Sequence, residues 1–68
     1  MTTELRDLAA IRLERDWTYE ELAQAIGGVR PSTIHRLLTT PNAKPNERTG
    51  HKIRQFLDRV RRAQQVAS

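Results

Sequence analysis

The chain predicts an all-α domain of four helices, five if one of the turns closes into a short helix of its own. Three helix-start signals carry that prediction. Thr18 followed by Glu21 has capping-box spacing, Pro31 suits a first helical position, and Asn46-Glu47 stands ahead of a long apolar stripe. Sixty-eight residues hold one small domain, and a chain this short buries only about 60% of its unfolded surface.

The first helix covers about residues 3–15, with Leu5, Leu8 and Ala9 turned inward and Ile11 and Leu13 at the edges. Arg12 falls inside that apolar stripe, where an unpaired charge is costly. A structural ion pair with Glu20 or Glu21 is therefore expected.

The second helix starts at its cap. The Thr18 hydroxyl accepts from the Glu21 N–H, and the Glu21 carboxylate reaches back to the Thr18 N–H. Trp17 before the cap and Leu22 four residues after it have the spacing of a hydrophobic staple. Leu22 and Ile26 mark the buried face, flanked by Ala23 and Ala25. Gly27 and Gly28 end the helix, since glycine takes a left-handed conformation freely.

The third helix opens at Pro31. At 100° per residue, Leu37 and Leu38 lie beside Ile34, while Ser32 and Arg36 point away, flanked by Thr33, His35 and Thr39. A buried stripe opposite a short hydrogen-bonding stripe is what a helix inserted into the DNA major groove needs. An ordinary solvated surface helix shows the same periodicity; the pairing with the second helix and the distribution of charge favour the groove.

Residues 39–45, TTPNAKP, are polar and broken by two prolines, hence a loop. The last helix has Asn46 as N-cap and Glu47 in its first turn. Its inward stripe is Thr49, Ile53, Phe56, Leu57, Val60 and Ala63. Gly50 inside it costs ~1 kcal/mol relative to Ala, which close approach of another helix would offset. Arg48, Lys52 and Arg54 are near its start, where phosphates can be reached. Arg59, Arg61 and Arg62 lie farther along, as a solvated face or a weak electrostatic contribution. Residues 64–68 are expected to be a frayed tail beyond a domain of residues 1–63.

The run IRLERDWTYEELAQAIGGVRPSTIHRLL, followed by KPNERTGHKIRQFL, resembles the phage-repressor and Cro (XRE-type) helix-turn-helix DNA-binding family. Arg12, Leu22, Ala23, Gly27, Ile34, Pro45, Thr49 and Ile53 carry the likeness, in family order, over about residues 5–60. The resemblance implies a compact lambda-repressor-like domain with its motif at about residues 18–38 and residues 31–38 as recognition helix. Ser32, Thr33, His35 and Arg36 then face base edges, with Arg36 placed for a bidentate contact to guanine. Thr18, Tyr19, Arg30, Thr39, Asn42, Lys44 and Arg48 are the candidates for phosphates. Two departures stand out. The turn holds one residue more than the family pattern, most simply Gly28, which allows the recognition helix to tilt. Tyr19 occupies a position where the family often has a DNA-contacting Gln; it lies at the edge of the apolar face, with its hydroxyl within reach of a phosphate.

Charge is segregated. In residues 1–21, Arg6, Arg12 and Arg15 oppose six carboxylates, a net of −3. Residues 22–68 set nine basic side chains against Glu47 and Asp58, a net of +7, for a total of +4. A basic field on one part of the chain is the electrostatic footprint of phosphate binding. There are no cysteines, so neither a disulfide framework nor a thiolate zinc site is available. His35 and His51 find no third ligand at metal spacing, and Ser32 with His35 lacks a third catalytic group. No metal, cofactor or enzymatic activity is expected.

No stretch is long enough to span a bilayer, and the N-terminus lacks the regions of a signal peptide, so a cytoplasmic, nucleoid-associated protein is expected. A single such domain makes few base contacts. Two copies on half-sites ~34 Å apart would add affinity, with Val60, Ala63 and Val66 as candidates for a homodimer interface unless the first two are taken up by the intrachain core. The expected output is transcriptional repression, with control by abundance or by an antagonist protein, since no effector domain is present. Two other readings remain at this level. One is a protein-binding adaptor on the same scaffold, and the other an architectural, excisionase-like DNA-binding factor.

Overall fold

The computed structural model is a four-helix domain: α1 (Thr3–Glu14), α2 (Tyr19–Ile26), α3 (Pro31–Thr39) and α4 (Glu47–Ala67). The structure describes residues 3–67, with side chains for residues 3–65. Each helix contributes to one core. Leu5 and Leu8 of α1 meet Leu22, Ala23 and Ile26 of α2, Ile34 and Leu37 of α3, and Ile53, Phe56, Leu57 and Val60 of α4. Leu5, Leu8, Leu22, Ile34, Leu37 and Ile53 are essentially sealed from solvent. Burial of such side chains contributes about 1.5–3 kcal/mol each relative to leaving them exposed.

The end of α1 explains why it stops one residue short of the expected boundary. Asp16 takes a left-handed conformation, φ 55°. The Trp17 N–H then donates to the Arg12 carbonyl at 2.9 Å and the Asp16 N–H to the Leu13 carbonyl at 3.3 Å. That is the 6→1 and 5→2 pairing of a Schellman cap, and it closes the helix at Glu14. Trp17 is packed against the core, as its staple spacing with Leu22 requires. Leu13, expected at the edge of the apolar stripe, is 70% exposed instead.

Arg12 corrects a second expectation. Among the described residues it pairs with neither Glu20 nor Glu21. Its Nη1 donates to the Trp17 carbonyl at 3.2 Å, and its guanidinium carbon lies 4.4 Å from the centre of the Tyr19 ring. The reason is local. The Glu21 carboxylate is held by the Thr18 N–H at 3.0 Å, and Glu20 is exposed. A guanidinium at the domain's edge is satisfied by a carbonyl and an aromatic face without a carboxylate.

At the start of α4, the Asn46 side-chain oxygen accepts from the Thr49 N–H at 2.8 Å, as an N-cap should. Ile53, Phe56, Leu57 and Val60 face inward as expected, whereas Ala63 is exposed. The helix continues past Ala63 to Ala67. The side chain of Val66 and all of Ser68 lie outside the described residues. Gly50 is buried, yet no helix presses on it. A Cβ there would meet only Arg54 and Pro45, each at 3.8 Å, which is ordinary van der Waals contact. Arg59, Arg61 and Arg62 are exposed as expected, and two of them also carry ion pairs. Arg61 reaches Asp7 of α1 at 3.3 Å, and Arg62 reaches Asp58 one turn back at 3.1 Å. Both pairs are exposed, so each contributes at most about 1 kcal/mol. Among the described residues, no helix is long and apolar enough to cross a membrane.

Candidate nucleic-acid interface

α2 and α3 are built as a pair. The capping box at the start of α2 is complete: the Glu21 N–H donates to the Thr18 hydroxyl oxygen at 3.1 Å, and the Thr18 N–H to Glu21 Oε1 at 3.0 Å. At the other end the Gly27 N–H closes on the Ala23 carbonyl at 2.9 Å. The chain then turns through two consecutive positive-φ residues, Gly27 at 83° and Gly28 at 73°. Glycine is favoured at both, because a Cβ makes that conformation costly for most residues.

α3 begins at Pro31 without any side-chain cap. The Arg30 carbonyl accepts from the Thr33 and Ile34 N–H groups at 3.1 and 3.2 Å, and the Arg30 side chain projects into solvent. Ile34 and Leu37 are buried and Leu38 half-buried, so the helix is seated on its apolar side. Ser32, His35 and Arg36 are exposed on the other side, with Thr33 half-buried beside them. The stripe expected to face base edges is thus on the surface. Among the described residues, the side chains of Ser32, Thr33, Arg30 and Arg36 have no hydrogen-bond or ion-pair partner, so their donors are available to a ligand.

The two rings at this surface are not independent. Tyr19 and His35 meet edge to face, with ring centres 4.9 Å apart and planes at 81°. Such pairs contribute about 0.5–1.5 kcal/mol beyond their buried area. With Arg12 also against the Tyr19 ring, one side chain links α1, α2 and α3. Periodicity placed Tyr19 at the edge of the apolar face, where it is, half-buried. It could not bring His35 to it, because the contact crosses the turn.

The expected phosphate residues divide by what their donors already do. Thr18 uses its hydroxyl oxygen as an acceptor, which leaves the hydroxyl hydrogen free to donate outward. Thr39 has spent its hydrogen, donating to the His35 carbonyl at 2.7 Å. A hydroxyl has one hydrogen, so Thr39 reaches a phosphate as a donor only by giving up that bond. Asn42 and Lys44 are exposed in the loop after α3, which is tightened by the Ala43 N–H donating to the Thr40 carbonyl at 3.2 Å. Arg48 is exposed in the first turn of α4.

Two nearby cations are engaged internally instead. Arg54 Nε donates to the Gly50 carbonyl at 3.3 Å, and Lys52 Nζ to the Gly28 carbonyl at 2.9 Å. The second bond brings the start of α4 against the α2–α3 turn. Arg48 lies four residues before Lys52 and so shares its helix face. Among the described residues, no group of three or more His, Cys, Asp or Glu side chains is arranged to hold a metal.

Comparison with known proteins agrees with this geometry over most of the chain. A family model described as Helix-turn-helix matches residues 8–62. No curated protein and no solved structure matches the chain.

Proposed function

The chain belongs to the helix-turn-helix family of the Cro and phage-repressor type, a DNA-binding regulator family, and we propose that this protein reads a specific duplex sequence and represses transcription. The observation that carries the reading is α3 itself. Its inner side is sealed in the core, while its outer side offers Ser32, Thr33, His35 and Arg36 with most of their donors uncommitted.

In the proposed complex the outer side of residues 31–38 enters the major groove. Arg36 donates in a bidentate manner to guanine O6 and N7, and the shorter Ser32 and Thr33 hydroxyls read a neighbouring pair. Thr18, Tyr19, Arg30, Asn42, Lys44 and Arg48 set the register on phosphates, with Thr39 joining only if it releases the His35 carbonyl. Occupancy at a promoter excludes RNA polymerase, so repression is the default output, released by dilution or by an antagonist protein. Two copies on half-sites about one turn apart supply the length of site a single α3 cannot. The domain's extents of 34 × 24 × 21 Å are compatible with that spacing of ~34 Å. Ala63, exposed on α4, is one apolar position a second copy would cover.

Fluorescence anisotropy tests the proposal, using the DNA upstream of the protein's own gene against a scrambled duplex across a salt series. Preference for the upstream fragment by ~10³ or more is the expected result. Equal, steeply salt-dependent binding to both would reduce the interaction to backbone attraction. No binding to either at low salt would end the DNA reading. Sedimentation at tens of micromolar decides the dimer: a monomer that binds a single half-site would remove that part.

A further inference from the structure

The turn between α2 and α3 should be the loosest joint in the motif. Gly27 and Gly28 both have positive φ, and glycine loses more backbone freedom on ordering than any other residue. Yet the turn is tied down. Lys52, half-buried on α4, donates from its ammonium to the Gly28 carbonyl at 2.9 Å, across 24 residues of sequence. A Cβ built at Gly28 would run into that same ammonium, so the space a side chain would need is already taken. The base of this tether is rigid, because Ile53 next to Lys52 is fully buried in the core and Phe56 nearly so. The ammonium also sits just past the C-terminus of α2, where helix carbonyls carry partial negative charge.

We propose that Lys52 is a positioning residue for recognition: by holding the Gly28 carbonyl it fixes the extra residue of the turn and thereby the angle at which α3 is presented to DNA. The inference rests on the DNA-reading function proposed above. It assigns Lys52 a task different from that of a phosphate-binding cation, although both use the same charge. Base readout tolerates errors of only about 0.5 Å in side-chain placement, so a turn free to sample several angles would spread Ser32 and Arg36 over unproductive positions.

The test uses Lys52→Met, which keeps the length of the side chain and removes its donor, and Lys52→Arg, which restores a donor. The DNA probes are a duplex enriched by the wild-type protein from a randomised pool and a scrambled duplex of equal composition. In the free protein, backbone order parameters at Gly28 and Val29 should fall from the rigid range near ~0.85 toward ~0.6 in Lys52→Met and recover in Lys52→Arg. Affinity for the enriched duplex should fall several-fold, and by no more than about tenfold, because the lost hydrogen bond comes from a charged group but is exposed to solvent. Affinity for the scrambled duplex and the slope of binding against salt should be unchanged.

A salt slope shallower by ~0.9, with equal loss on both duplexes, would make Lys52 a phosphate contact and overturn the proposal. So would order parameters or enriched-duplex affinity that do not move. Failure of the wild-type protein to enrich any duplex is a different failure. It would bring down the DNA-reading function, whereas failure of the Lys52 prediction with enrichment intact would bring down this inference alone.

Discussion

α2 and α3 are neighbours of similar length that both lay an apolar side on the same core, and they treat their polar groups in opposite ways. α2 closes upon itself. Its cap hydroxyl, its third-position carboxylate and the N–H of Gly27 all bond within the helix or its cap. α3 starts on a proline with no side-chain cap, and Ser32, Thr33 and Arg36 find no partner among the described residues. The chain therefore spends polar groups on α2 to build the fold and withholds them on α3. Thr39 marks the boundary: its hydroxyl turns back on the helix at the point where α3 ends.

The strongest test of this division is on the inner side of α3. Ile34 is completely buried, so Ile34→Ala should destabilise the domain by about 2–5 kcal/mol in urea unfolding, through lost burial and the cavity left behind. In a domain this small that is much of the total. A loss below about 1 kcal/mol would mean that α3 is not anchored as its burial indicates. On the outer side of the same helix, Arg36→Ala should leave stability within about 0.5 kcal/mol. It should weaken binding to the preferred duplex by about 1–3 kcal/mol, with specificity relaxed at one base position. If Arg36→Ala instead unfolds the protein, the outer side is scaffold and the contrast between the helices collapses.

The two helix starts give the next test. Thr18→Ala removes the hydroxyl oxygen that accepts from the Glu21 N–H and should cost about 1 kcal/mol in thermal melts. Arg30→Ala, at the corresponding position of α3, removes no capping bond and should stay within about 0.5 kcal/mol. Equal losses at the two positions would mean that α3 is capped after all.

What the sequence made legible and what it hid follow the same division. The capping box of α2, the Asn46 cap of α4 and the buried and exposed sides of α3 depend on residues within one or two turns of each other. Local spacing is enough to place them. A charge in an apolar stripe needs a partner, so spacing alone points Arg12 to an ion pair with Glu20 or Glu21. The sequence carried a warning there, since a carboxylate closed on the Thr18 N–H is poorly placed to serve Arg12 as well. The Tyr19–His35 contact and the Lys52–Gly28 bond had no such local trace. Each depends on how α2, α3 and α4 cross, which periodicity along one helix does not determine. Leu13 differs for a related reason: periodicity continues the apolar stripe to the end of α1, whereas its coverage depends on how the other helices cross.

Gly50→Ala separates stability from recognition with the least disturbance. The substitution adds a Cβ in ordinary contact with Arg54 and Pro45, on a helix whose backbone there lies outside the left-handed region. It should stabilise the domain by about 0.5–1 kcal/mol, since alanine loses less backbone freedom than glycine in a helix. If recognition depends on the uncommitted side chains of α3 and on the geometry of its turn, this added stability should leave affinity for the preferred duplex unchanged. An affinity that rises with stability would mean that part of the binding free energy goes into ordering the domain itself. α3 would then be held less firmly by the core than its buried side suggests. A destabilising Gly50→Ala would restore the idea that a close neighbour keeps this position empty, and would place that neighbour nearer than 3.8 Å.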